Sequence, residues 1–245
     1  MDSETLWLLL LVPVGFVAGV VNVLAGGGSF ITLPVLIAAG LPVHIANGTN
    51  RISVIVQGLF ATATYKRRGE FDSTLFKKLV LPLGVGATVG AFLATQIAAE
   101  EMRRVFGVLF LVMALILTFR HRVLRSEHKK PHPLRHVALL LVGIYGGFIQ
   151  AGVGLWILIG STTLYGVDAV RANSVKLPLT LTFTIPALLL FLQADMVAWI
   201  PGLLLALGTV LGTMVGVRLT LKGGERLIFR AVTIVLFITG AQLLL

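Results

Sequence analysis

Cysteine is absent from this 245-residue chain, which excludes disulfides, thiolate metal sites, iron–sulfur clusters and thiol nucleophiles. Charge is scarce. Asp, Glu, Lys and Arg make up 12% of the residues, about half the ~25% of a typical soluble domain. Acidic residues are scarcest, 10 against 20 Lys and Arg, and none falls inside a long apolar run. No His-Glu-x-x-His, Walker loop or Gly-x-Ser-x-Gly occurs, so neither zinc hydrolysis, nucleotide hydrolysis nor serine-nucleophile chemistry has its parts. The reading is therefore a non-enzyme with no catalytic residues, no metal and no cofactor. What the chain has instead is hydrocarbon: 57% of its residues are hydrophobic and its mean hydropathy is +0.98. A soluble chain of this size would have to cover its surface with apolar groups, so the expected surroundings are a lipid bilayer.

The net charge of +10 is concentrated in a few connections. Lys66-Arg67-Arg68 to Lys77-Lys78 is basic, as are Arg120 to Arg135 and the turn with Arg218, Lys222 and Arg226. That placement is an orientation signal rather than a nucleic-acid surface, which needs a basic stripe with stacking aromatics. No nucleic-acid partner is expected, and the sequence is compatible with a homo-oligomer. All histidines but His44 lie in or beside the central basic segment. Pro131 and Pro133 interrupt any helix that would align them on a metal, so a solvated linker is the reading. The acidic start, Met1-Asp2-Ser3-Glu4, lacks the positive region of a cleavable signal, and the first apolar run is read as retained structure.

Apolar runs cover about 6–25, 45–65, 79–98 and 105–119, then 137–150, 170–192, 197–217 and 227–244. Short apolar arms follow Gly26-Gly27-Gly28-Ser29 and Ala151-Gly152-Val153-Gly154. The halves match in order. Ala25-Gly26-Gly27-Gly28 pairs with Ala151-Gly152-Val153-Gly154, and Ala46-Asn47 with Ala172-Asn173. Asn50 pairs with Lys176, Gly15-x-x-x-Gly19 with Gly143-x-x-x-Gly147, and Gly86-x-x-x-Gly90 with Gly208-x-x-x-Gly212. This predicts an all-α polytopic membrane protein of two repeats, 1–119 and 137–245, joined by a basic cytoplasmic linker at 120–136. With every basic turn cytoplasmic, both termini fall outside only if each glycine-broken pair returns to the side it entered. Each repeat is then a re-entrant helical hairpin plus three transmembrane helices, and the second copy is inverted, a plan shared by secondary transporters. Residues 6–25 must turn back although their length suffices to cross.

A helix break at membrane depth survives only where it is buried in protein or lines a cavity. The half-helices expected from about Ser29 and Leu155 would point their first-turn N–H groups and positive dipole ends at the bilayer centre, an anion site made of backbone. Candidate substrate contacts are thus Gly26, Gly27, Gly28, Ser29, Gly152 and Gly154, with Asn22 and Gln150 just before the breaks. Asn47, Asn50, Arg51, Asn173 and Lys176 add polar groups at the ends of the next runs. The two cations either meet an anionic ligand or snorkel to the headgroups. Asn47 and Asn173 suit ligand contact or helix N-caps. Gln57 suits the cavity or interhelical bonding. Pro178 and Pro186, among Thr180, Thr182 and Thr184, make either a hinge or a fixed kink with back-bonded threonines.

Gly19-x-x-Asn22-x-x-Ala25-Gly26-Gly27-Gly28-Ser29, then Pro34 and Ala46-Asn47-Gly48-Thr49-Asn50, resembles the first repeat of the TauE/SafE family of sulfite exporters. Gly152-Val153-Gly154 followed by Ala172-Asn173-Ser174-Val175-Lys176 is similar to its second repeat. The resemblance covers almost the whole chain and implies a multi-pass permease of the cytoplasmic membrane for sulfite or another small sulfur oxyanion. With it the expectation is a secondary transporter that binds the anion near the midplane between the half-helix N-termini and works by alternating access. A channel, or a carrier of another small anion such as a carboxylate, stays open.

Overall fold

Apolar stretches that cannot face water form helices here, and glycine, proline and charge decide where each one stops. The computed structural model describes residues 3–118, 132–219 and 225–245, so most of the 120–136 linker and the turn holding Lys222 lie outside the described residues. Among those described, ten α-helices and no strand are found. They are α1 (Ser3–Ala25), α2 (Ser29–Ala38), α3 (Val43–Arg67), α4 (Ser73–Gln96), α5 (Ala99–Thr118), α6 (Arg135–Phe148), α7 (Val153–Leu164), α8 (Ala169–Gln193), α9 (Trp199–Leu219) and α10 (Glu225–Leu244).

Among the described residues, four stretches are long and apolar enough to cross a membrane: Leu6–Leu24, Ser73–Gln96, Arg171–Gln193 and Trp199–Leu219. At ~1.5 Å per residue, the 23-residue α1 has the length of the hydrocarbon core, whereas the 14-residue α6 does not. Helix α5 begins six residues before the expected apolar run, because Glu100 and Glu101 complement the dipole of its first turn. The N-cap alternative for Asn47 and Asn173 is overturned. Pro42 starts α3 and Asp168 starts α8, which leaves both asparagines inside their helices. Helix α8 runs unbroken through both of its prolines. Thr180, Thr182 and Thr184 each donate to the carbonyl four residues back, so these threonines back-bond to their own helix.

The Gly-x-x-x-Gly pairs are helix interfaces. Gly15 of α1 meets α9 so closely that a Cβ there would lie 2.5 Å from the Leu205 carbonyl oxygen. Gly208 and Gly212 face Val12 and Phe16 in return. Gly86 and Gly90 of α4 pack in the same manner on Leu140 and Ile144 of α6, and Gly143 and Gly147 on Leu83 and Ala87. Small residues let backbones approach where lipid gives no hydrophobic drive for helices to associate. The other main pairings are α5 with α10, α3 with α8, α3 with α9 and α4 with α8. Exchanging α1–α5 for α6–α10 leaves this set of pairings unchanged. Leu81, Val85, Val89 and Phe92 of α4 and Leu203, Leu207 and Leu211 of α9 stay exposed, an apolar belt suited to lipid chains.

At one end of α4 and α8, polar groups replace the glycines. Asp72 accepts from the Leu75 N–H at 2.9 Å and so caps α4, while Arg171 approaches the same carboxylate at 2.6 Å. The Leu75 N–H bond, more than Arg171, holds the Asp72 carboxyl below the usual carboxylate range. A depressed carboxylate contributes stability above its unfolded pKa of ~3.9, and that contribution fades as pH falls through the lower folded value. Asp72→Ala should lower stability by about 1 kcal/mol at neutral pH, mostly through the lost cap, since exposed ion pairs contribute little. Thermal melts in detergent at neutral pH and near pH 3 check this: the difference from the parent should shrink in acid.

Candidate functional site

The two breaks lie against each other. Between α1 and α2 the chain turns at Gly26, at φ 72°, and between α6 and α7 at Gly152, at φ 71°. Both are left-handed conformations that glycine adopts without strain. A Cβ on Gly26 would lie 2.5 Å from the Gly154 carbonyl carbon and 2.6 Å from the Leu155 nitrogen. The Phe30 ring lies over Gly152. Neither α2 nor α7 has a side-chain N-cap, and their first-turn N–H groups bond mainly to backbone: Phe30 to the Gly27 carbonyl at 3.1 Å and Leu155 to the Gly152 carbonyl at 3.0 Å.

A polar network shapes the first break. The Asn22 amide donates to Gln57 Oε1 at 2.5 Å, and its Oδ1 accepts from the Gly28 N–H at 3.4 Å. Gln57 in turn donates to Thr213 at 2.7 Å and to the Gly19 carbonyl at 3.2 Å. Asn50 donates to Ser29 at 2.9 Å and accepts from Thr32 at 2.6 Å. Asn22, Ser29 and Asn50 thus brace the break, and Gln57 belongs with them.

The cations cross between the two sets of helices. Arg51 of α3 is fully buried, and its Nη2 donates to the Gly147 carbonyl near the end of α6. One helical turn away, Asn47 donates to the next carbonyl, Phe148, at 2.7 Å. Lys176 of α8, also fully buried, donates to the Val23 carbonyl near the end of α1 at 2.9 Å. A positive charge at a helix carboxyl end is electrostatically favourable. Both side chains end on carbonyls inside the protein rather than at an exposed helix end. The Arg51 guanidinium also stacks over Phe191, 4.5 Å from the ring centre. Its Nε and Nη1 are buried without a hydrogen-bond partner, as are Asn47 Oδ1 and Gln150 Oε1. Gln150 itself sits at φ 61°, in a turn closed by the Ala151 N–H donating to the Ile149 carbonyl at 2.7 Å.

Of the sequence candidates, Asn47 and Arg51 meet the carboxyl end of α6, Gln150 lies in the turn that follows it, and the two breaks meet at Gly26 and Gly154. Gly27 is ordinary in conformation, and Asn173 is half-buried and makes none of these bonds. Phe191, Thr184, Thr32 and Thr213 were not anticipated. Their only signal is a polar or aromatic side chain in an apolar helix, which does not name a partner on another helix, 18 residues away for Thr32 and 156 for Thr213. Among the described residues no group of three His, Asp or Glu could hold a metal ion.

A helical membrane protein whose interior polar site joins two broken helices and contains no reactive cluster has the parts of a transporter. The family model described as "Sulfite exporter TauE/SafE" matches residues 11–243. The chain belongs to that family, and it is a multi-pass membrane transporter rather than an enzyme. It is 31% identical over 244 residues to "Probable membrane transporter protein ORF9" of Sinorhizobium sp, covering 97% of this chain and 92% of that protein. "Probable membrane transporter protein YfcA" of Escherichia coli K12 is 29% identical over 234 residues, with coverages of 94% and 87%. A "Probable membrane transporter protein" of Haemophilus influenzae is 26% identical over 246 residues, covering 99% and 96%.

Proposed function

We propose that the chain is a secondary transporter of sulfite or a related small sulfur-containing anion, bound where the two breaks meet and moved by alternating access. The observation that carries this reading is Arg51: a buried guanidinium with N–H groups lacking partners, paired with no described carboxylate. A buried cation in that state calls for an anion. The starts of α2 and α7, which carry no side-chain cap, add positive dipole ends at the breaks. The family description supports a sulfur anion as cargo.

Two inverted repeats, 1–119 and 137–245, with 120–136 as a cytoplasmic linker, supply the mechanism. The exchange of helix pairings between α1–α5 and α6–α10 supports duplication, and alternate rocking of such halves about a fixed site is how inverted repeats work. Counterflow of radiolabelled sulfite in proteoliposomes tests the proposal. Trans-stimulation is expected for a carrier and absent for a channel. Competition by acetate or succinate as strong as that by sulfonates would reassign the cargo to carboxylates.

Orientation has its own test. With both termini outside the cytoplasm and the linker within it, a membrane-impermeant thiol reagent on intact cells should label a cysteine placed at Ser3 and spare one at Ser126. The reverse labelling would overturn the topology, and the full length of α1 makes this the decisive check on the re-entrant hairpin.

A further inference from the structure

We infer, on the reading just given, that the ligand of this site carries a hydrogen-bond donor as well as its negative charge: a singly protonated oxyanion, or a small anion bearing a hydroxyl or amino group. Buried polar atoms of Arg51, Asn47 and Gln150 are left without partners there.

Asn47 uses its NH₂ on the Phe148 carbonyl. A carbonyl can only accept, so the amide is oriented and Oδ1 must point the other way, buried and unpartnered. Gln150 uses its NH₂ on Thr184 Oγ1 at 2.7 Å. The single hydroxyl hydrogen of Thr184 is already committed to the Thr180 carbonyl at 2.6 Å, so that oxygen can only accept from Gln150. The second amide is therefore fixed as well, with Oε1 left over. A guanidinium and an ordered amide carry no ambiguity of role once one end is pinned.

The same region therefore presents two kinds of unused group. Arg51 Nε and Nη1 are donors, and Asn47 Oδ1 and Gln150 Oε1 are acceptors. Their residues all border the carboxyl end of α6. Arg51 and Asn47 hold the consecutive carbonyls of Gly147 and Phe148, and Gln150 follows two residues on. A fully deprotonated oxyanion offers lone pairs only. It would satisfy Arg51 but set its oxygens against two amide oxygens that it cannot bond. An O–H or N–H on the ligand converts that mismatch into a bond. Sites built to hydrogen-bond a hydroxyl reject isosteres lacking it far more strongly than apolar pockets reject an extra methylene.

The test is a matched pair of monoanions of similar size, 2-hydroxyethanesulfonate and propane-1-sulfonate, with sulfite as reference. Dissociation constants are measured by calorimetry on the purified full chain in detergent. The hydroxyl-bearing member should bind at least ~10-fold tighter. Asn47→Leu and Gln150→Met should each reduce that ratio toward one, while Arg51→Gln should weaken both members together and preserve it. Ratios are taken within each variant, so a general loss of stability cancels, and Gln150→Met carries the test if Asn47→Leu does not fold. Equal binding of the pair, or failure of 2-hydroxyethanesulfonate to bind while sulfite binds, overturns the proposal and leaves the anion reading intact. If sulfite and both sulfonates fail to bind the parent protein at millimolar concentration, the anion reading falls, and this inference with it.

Discussion

Gly26→Val should abolish counterflow of the transported anion, whereas Gly27→Ala should retain most of it. The two glycines are neighbours, but their surroundings differ. Gly26 is left-handed at φ 72°, and a side chain held there costs of order 1–3 kcal/mol. Its Cβ would also meet the Gly154 carbonyl carbon at 2.5 Å and the Leu155 nitrogen at 2.6 Å. Both are backbone, so no rotamer relieves the contact, and overpacking of this kind costs a further ~1–3 kcal/mol. The break of one half-helix would be pushed off the start of the other. Gly27 has no left-handed φ, and its Cβ would touch only the Phe30 ring edge at 3.0 Å.

Gly152 falls between them: φ 71° adds strain, but its obstacle is the Phe30 ring, which can be trimmed. Phe30→Ala should therefore rescue part of the Gly152→Ala defect and none of the Gly26→Ala defect. Counterflow read alongside thermal stability in detergent separates loss of the site from loss of the fold. Counterflow at the parent rate by a folded Gly26→Val protein would mean that the two breaks do not meet during transport.

The sequence was most readable where backbone freedom and solvent preference act locally. Triple glycine before Ser29 and glycine at 152 and 154 marked both breaks, and α2 and α7 begin at Ser29 and Val153, against the expected Ser29 and about Leu155. The Gly-x-x-x-Gly pairs were visible as close-packing motifs, but which helix each one meets was not. What composition could not disclose is the partner of each cation. Arg51 and Lys176 reach backbone carbonyls of Gly147 and Val23, and since every residue carries a carbonyl, no side-chain pattern marks those two. The same holds for Asn47, whose position near a run's start suits an N-cap, whereas α3 starts at Pro42, five residues earlier. By position alone, Asn22 beside the break and Asn50 in the polar cluster of the next run are candidate ligand contacts. Their hydrogen bonds to Gln57, Ser29 and Thr32 now give them a bracing role that local sequence could not distinguish from binding.

Arg51→Gln should weaken every anionic substrate roughly 10- to 100-fold. A hydrogen bond to a charged group is worth roughly 1.5–3 kcal/mol, and each ~1.4 kcal/mol is a factor of ten in affinity. The guanidinium is fully buried, held by the Gly147 carbonyl and the Phe191 face, so it cannot swing to solvent and its remaining N–H groups stay in place for a ligand. Arg51→Lys keeps the charge but has no planar fork to span the Gly147 carbonyl and an anion together, so affinity should fall here too, by less than in the glutamine variant. Lys176→Gln is the companion test. Its side chain passes beside the contact of the breaks, with Cδ 3.3 Å from the Cβ position of Gly154, on its way to Val23 at 2.9 Å. If both breaks build one site, this variant loses affinity by a similar factor. Loss in Arg51→Gln alone would confine the anion to the carboxyl end of α6, whereas parental affinity in both would assign these cations to helix ends and leave the anion to backbone and amide groups.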